Sequence, residues 1–273
     1  MSDYETRFGG IARLYGKEQA DWLKAAHFCV VGIGGVGTWV AEALARTGVG
    51  QITLVDLDDI CTTNTNRQIH AMRDTVGQAK VDVMAARIKL INPECNVDCI
   101  EDFITKDNLS EIIGRKPDVK FDLVVDAIDS INAKTALIAH CKRNKVPVVV
   151  TGGAGGQIDP SKIQFGDLAK TTHDPLLSKV RNQLRRDFGY STNPKRKFSI
   201  DCVYSTEQLR YPQEDGSVCA AKASADGTMR LDCNMGFGAA TMVTGTFGFF
   251  AAAKSVEKYL AKRAREKANE SLS

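Results

Sequence analysis

The sequence predicts an α/β protein built on a mostly parallel sheet with helices on both faces, and three observations predict it. A short apolar run, residues 28–31, ends in Gly32-Ile33-Gly34-Gly35-Val36-Gly37, and an amphipathic segment at 38–46 leads to a second apolar run, 52–55, that ends on Asp56. Further apolar runs at 121–126 and 146–150 are separated by segments of helical period, the pattern of parallel strands joined by helices. The later runs end on Asp126-Ala127-Ile128-Asp129 and on Thr151-Gly152-Gly153, which puts polar residues and glycines at strand carboxyl ends, where open α/β sheets bind ligands. The expected architecture is a Rossmann-like sheet with a C-terminal extension continuing it, in one domain. Its parts are a nucleotide-binding core (1–166), a basic insertion (167–230), and a C-terminal core element with a charged helix (231–273).

Residues 4–27 read as a helical lead-in that carries Arg7 and Arg13 ahead of the first strand. It is either a solvated arm or one that delivers an arginine to a phosphate site, its own or a partner subunit's. The glycines at 32, 34, 35 and 37 permit a tight turn and let a phosphate approach backbone N–H groups at a helix N-terminus. Asp56, at the tip of the second strand, can hold ribose hydroxyls, with Asp58 beside it. Strand, glycines, helix and acid in this order point to an adenine nucleotide rather than to a turn that binds nothing. They do not choose between NAD and ATP.

The stretch 58–70 is too polar for a core strand. Asn64 and Arg67 are three apart, hence on one side of a helical turn, and Arg67 can fork onto phosphate oxygens. Residues 76–80 open a helix that Asn92-Pro93 stops, and Lys80 at its start is a second phosphate cation. A strand at 97–100 and a helix at 108–113 follow. Asp129 can either ligate Mg²⁺ on a nucleotide or cap the helix at 132–144. The glycine- and carbonyl-rich segment 151–156 implies a close backbone approach and leaves open a monovalent-cation site.

From Asp167 the texture changes. Lys179, Arg181, Arg185, Arg186, Lys195, Arg196 and Lys197 face one acid, Asp187, with Phe188 and Tyr190 interleaved. A solvated charged face explains such a run, and so does an RNA backbone with stacked bases. Residues 204–217 read as strand and turn. The uncharged run 236–253 touches the lower length bound of a membrane span, but its glycines and threonines favour a buried core element. In the terminal helix, 254–270, the like-charged pairs Lys254–Lys258 and Lys258–Lys262 suggest a basic stripe.

Composition bounds the function classes. The chain has 273 residues, 43% hydrophobic and 25% charged, with a net charge of +3, too mild to establish nucleic-acid binding by itself. None of its eight cysteines forms a C-x-x-C pair, which suits a reduced cytoplasmic protein without a structural zinc. A dehydrogenase has no use for Asn64, Arg67, Lys80 and Asp129 at the strand tips, whereas a triphosphate needs cations and Mg²⁺ there.

With GIGGVG (32–37), LVDLDD (54–59), NTNRQIH (64–70), VGQAK (76–80), INPE (91–94) and DAIDS (126–130), the chain resembles the ThiF/MoeB family of ubiquitin-activating-like adenylating enzymes. The resemblance implies that Asp56 binds ribose, that Asn64, Arg67 and Lys80 contact the triphosphate, and that Asp129 handles Mg²⁺. It also implies a homodimer in which Arg13, or secondarily Arg7, reaches the partner's ATP. More narrowly, segments 7–16, 150–160, 167–176, 201–207 and 236–249 resemble the tRNA threonylcarbamoyladenosine dehydratases of that family. This implies ATP-dependent cyclisation of the modified base next to the anticodon, by adenylation of its carboxylate and release of AMP. Under that resemblance Arg181, Arg185, Arg186, Lys195, Arg196 and Lys197 become tRNA contacts. Cys202 and Cys233 become candidates for a link to a cysteine desulfurase and its sulfur-acceptor partner, against the plainer role of buried small thiols. The alternatives are activation of a ubiquitin-like sulfur carrier and an ATP-bound scaffold for the desulfurase.

Overall fold

The computed structural model describes residues 2–114, 121–213, 215–219 and 237–271. Two short helices, α1 (Asp3–Tyr15) and α2 (Lys17–Ala25), precede β1 (His27–Val31), α3 (Gly37–Arg46) and β2 (Gln51–Val55). Then come α4 (Lys80–Ile91), β3 (Asn96–Ile100), α5 (Leu109–Ile112), β4 (Leu123–Asp126), α6 (Ile131–Arg143) and β5 (Val148–Thr151). The C-terminal part adds β6 (Ile163–Asp167), α7 (Pro175–Phe188), β7 (Asp201–Ser205), the small hairpin strands β8 (Tyr211–Pro212) and β9 (Val218–Cys219), and α8 (Thr241–Glu270).

Seven strands form one sheet in the order β3-β2-β1-β4-β5-β7-β6, parallel except for the β6–β7 pair. The strands alternate between two cores. Phe28, Val30, Ile52, Leu54, Val125 and Val203 face α3, α4 and α8. Cys29, Val31, Val55, Val124, Val150 and Cys202 face α6 and α7. This period-2 burial on both faces is why the central strands read as unbroken apolar runs. The chain winds one way through β1, β2 and β3, then returns past β1 to β4, so the strand order reverses between β1 and β4. The crevice at that reversal is where such sheets bind ligands.

Residues 167–230, expected as an insertion, also supply β7, the sheet's sixth strand. The extension thus continues the sheet beyond β5 through β7 and β6, as expected. Residues 241–253 of the uncharged run form the first part of α8, and no helix among the described residues is long and apolar enough to cross a membrane. The expected basic stripe on α8 is also corrected. Lys254 pairs with Glu257, Lys258 with Asp201 of β7, and Lys262 with Glu266. The spacing of the like-charged residues was visible in the sequence, but the partner supplied by β7 was not.

Candidate active site

A cavity of about 1080 Å³ opens over the carboxyl ends of β1, β2, β4 and β5. The glycine turn supplies its floor, and the glycines divide by role. Gly32 sits at φ +88°, and a Cβ on Gly37 would lie 1.7 Å from the Gly32 carbonyl oxygen. These two close the turn. Gly32, Gly34 and Gly35 line the cavity, and Gly37 closes the turn against the Gly32 carbonyl at the start of α3.

Asp56 is nearly buried. Its Oδ2 accepts the Ile33 N–H at 2.6 Å and its Oδ1 the Asp58 N–H at 2.9 Å. Burial raises its pKa, and the Lys80 ammonium opposes that rise. The carboxylate therefore shapes the turn and still keeps lone pairs for a ribose. Lys80, itself buried, stands 2.6 Å from Asp58 Oδ2 and 3.9 Å from Asp56 Oδ1. Asn64 lines the same wall at the end of a short 3-10 turn, its Oδ1 accepting the Cys61 N–H at 2.9 Å. Asp129 is exposed at the β4 tip and has no hydrogen-bond partner among the described residues; the helix cap there is Ser130. A capping role for Asp129 is thereby removed, and an unengaged hard oxygen donor faces the site.

Arg67 is held from behind. Its Nη1 donates to Thr63 O at 2.8 Å and Asn66 Oδ1 at 3.0 Å. Its carbonyl accepts from Trp39 Nε1 at 3.0 Å and Thr244 Oγ1 at 3.4 Å, and Thr241 Oγ1 donates to the neighbouring Asn66 carbonyl at 2.6 Å. Trp39, Thr241 and Thr244 escaped the sequence reading. Their trace was a pair of glycines inside an apolar helix: a Cβ on Gly248 would lie 2.5 Å from Trp39 Cβ, so α8 carries glycine where the indole packs. A Trp39→Phe variant should keep its fold and lose activity about tenfold through a displaced Arg67, a loss read as reduced turnover at saturating ATP.

Beneath the β4 and β5 tips lies a charged pair that the sequence did not reveal. Lys134 Nζ is 2.8 Å from Asp126 Oδ1, and both side chains are fully buried. Asp126 Oδ1 also accepts the Ile128 N–H at 3.1 Å, which fixes the backbone just before Asp129. Asp174 caps α7 through Leu177 N and accepts Gly153 N, each at 2.9 Å, tying that helix to the cavity wall.

His70 packs beneath the glycine turn with Nε2 3.1 Å from the Ile33 carbonyl oxygen. Burial lowers its pKa to about 4, so near neutral pH the ring is uncharged and donates to that carbonyl from a protonated Nε2. Between the ordinary value near 6.5 and about 4, the unfolded chain binds a proton that the folded one refuses. Stability should therefore fall as pH drops through this window, and His70→Gln should flatten the slope of an acid-unfolding series.

The remaining predicted residues are placed differently. Arg13 is exposed on α1, outside this cavity. Of the tRNA candidates, Arg186, Lys195, Arg196 and Lys197 are exposed. Arg181 turns inward onto the Thr171 hydroxyl, and Arg185 lies over the Phe198 ring, 5.6 Å from its centroid. Tyr190 packs edge-on against Phe198, so of the two interleaved aromatics only Phe188 is exposed. Cys202 is fully buried and its thiol pKa is pushed well up, which denies it to a sulfur relay. Cys233 lies outside the described residues.

The model of the ThiF family matches residues 9–271. The chain belongs to the ThiF family. Among the family's curated members, the tRNA threonylcarbamoyladenosine dehydratase of Escherichia coli (strain K12) is 59% identical over 263 residues, 96% of this chain and 97% of that one. Two crystal structures of an E. coli tRNA N6-threonylcarbamoyladenosine dehydratase, TcdA, are 55% identical, each covering 97% of this chain and 98% of that one. The complex with ATP superposes with a TM-score of 0.84 and the complex with AMP with 0.85. Those two structures hold ATP and AMP, respectively.

Proposed function

We propose that this ThiF-family chain is an ATP-dependent tRNA threonylcarbamoyladenosine dehydratase. One cavity supports the reading: it brings Arg67, Lys80, Asn64 and the unengaged Asp129 together beside a glycine turn, in a chain that aligns end to end with enzymes of that name. Backbone N–H groups of the turn and the Arg67 guanidinium hold the triphosphate, and Lys80 moves from Asp58 to a phosphate oxygen. The substrate carboxylate attacks the α-phosphate, pyrophosphate leaves, and an acyl-adenylate forms. A nucleophile within the modified base then closes the ring on the acyl carbon, and AMP carries away one carboxylate oxygen. No protein nucleophile is needed. The cations act because they are in place before negative charge develops on the phosphate.

Asp129 fits Mg²⁺, being a hard carboxylate with no competing partner among the described residues, and the ion would neutralise charge on the triphosphate. The carbonyls of 151–156 are likewise donors for a monovalent cation, although Gly153 O is shared with Gln157 and Gly156 O with Arg210. A homodimer places Arg13 at the partner's ATP. Mixing Arg13→Ala with Lys80→Ala should then restore activity that neither variant has alone, because hybrid dimers contain one complete site. The exposed cations Arg186, Lys195, Arg196 and Lys197 form the tRNA face of this reading. Charge reversal at Arg186 and Arg196 should raise the KM for tRNA and leave ATP affinity unchanged, and a tRNA KM like the wild type's at moderate salt would remove that face from the account. Attachment to a cysteine desulfurase and its acceptor belongs to the same reading, through a surface contact rather than through Cys202.

The direct test incubates the protein with ATP, Mg²⁺ and tRNA bearing threonylcarbamoyladenosine, digests to nucleosides and measures mass. Loss of one water is expected. No loss with protein that binds ATP would reject the assignment. Nothing in the site favours a sulfur-carrier protein as the substrate instead.

A further inference from the structure

The two ends of the cavity differ in chemistry. Toward β1 and β2 it is lined by the glycine turn, Asp56, Arg67 and Lys80. Past β4, at the β5 end, the wall is the backbone of residues 151–155 with Leu176, Leu209 and Phe237. The titratable side chain among the described residues at this end is Asp174, and both of its oxygens are engaged by backbone N–H groups. The β5 end is therefore apolar and offers a ligand little beyond backbone and rings.

Phe237 is held in place there. It is 40% exposed, and its ring centroid stands 5.4 Å from that of Tyr211 at an interplanar angle of 58°. A Cβ on Gly155 would lie 2.9 Å from Phe237 Cβ, and one on Gly156 would lie 2.9 Å from Phe237 Cδ1. The Gly156 N–H donates to the Gly238 carbonyl at 2.7 Å, fastening the next residue. Gly155 has no positive φ, so turn geometry does not require it; the close approach of Phe237 does. The glycine pair at the end of the 151–156 segment thus seats an aromatic ring that stays partly open to the cavity.

We propose that the β5 end is the acceptor subsite, where the modified adenine of the substrate stacks on Phe237 between Leu209 and Leu176 while its carboxylate points toward the α-phosphate. This assignment rests on the dehydratase reading. The chemistry of the two ends sorts the substrate's parts: the neutral, planar base suits the apolar wall with its exposed ring, and the carboxylate suits the cationic end. Aromatic stacking is the usual way in which a base splayed out of an RNA loop is held.

The test compares the full-length protein with Phe237→Ala and Phe237→Trp, using steady-state dehydration of modified tRNA together with a separate measurement of ATP affinity. Phe237→Ala should raise the KM for modified tRNA about tenfold or more, with ATP affinity unchanged. Phe237→Trp should restore a KM near the wild type's, which a purely structural role at the glycine pair would not allow, since the larger ring crowds it. A wild-type KM in Phe237→Ala, or an equal loss of ATP affinity, would overturn the subsite and leave the dehydratase reading standing. If the wild-type protein removes no water from modified tRNA, the reading itself fails and the subsite with it.

Discussion

Replacing Asp129 by alanine should cut turnover at least about 100-fold and leave the melting temperature where it was. The two halves of this expectation come from the same geometry. The carboxylate is exposed at the β4 tip, caps no helix and accepts no hydrogen bond from any described residue, so its removal costs the fold nothing. Under the proposed function, its position on the cavity wall lets it hold the cation that a triphosphate brings. Lys80→Ala should lose turnover to a similar degree but with a change in stability, because it also removes the partner of Asp58 and a neighbour of Asp56. Pyrophosphate release at saturating ATP, measured beside thermal unfolding, separates the two variants. An Asp129→Ala protein with wild-type turnover would show that the site works without this carboxylate.

Lys134→Met should be the most destabilising single change in the site's support, by about 3–5 kcal/mol. It leaves Asp126 buried without its cation. Burial already pushes the Asp126 carboxyl upward, and Lys134 is the largest influence holding it down. Without the lysine, folded Asp126 keeps its proton to higher pH while the unfolded chain releases it near the ordinary carboxylate value. The destabilisation should therefore grow as pH rises above that value. Adding Asp126→Leu should recover much of the loss, because an apolar pair of similar volume avoids burying a charge at all. The recovered protein should still turn over poorly: the Asp126 carboxylate also holds the Ile128 N–H and so positions the loop that presents Asp129. Denaturant unfolding of the two variants across pH, with turnover measured on the double variant, checks each part.

The parts of this molecule that were legible in the sequence are those whose partners are near in the chain. The glycine turn, the acid closing β2, Asn64 with Arg67, and Lys80 at the start of α4 all announce themselves within a few residues, and all but Gly37 line the cavity. Part of what was missed depends on long separations. The clamp on Arg67 joins residues 28 and 177 positions apart, and the partner of Lys258 lies 57 away on β7. Tyr190 has the chemistry of a stacking aromatic but packs against the Phe198 ring, and Arg181 has that of a phosphate contact but is held by Thr171. Residue type and local charge mark what a side chain can do; only the fold decides whether it is already engaged.

In the proposed reaction a carboxylate of the substrate attacks the α-phosphate of ATP. The most direct test of this attack uses tRNA whose threonylcarbamoyl carboxylate carries heavy oxygen, followed by mass analysis of the nucleotide products. One heavy oxygen is expected in the phosphate of AMP and none in pyrophosphate. Heavy oxygen in inorganic phosphate with ADP as co-product, or AMP free of label, would contradict it.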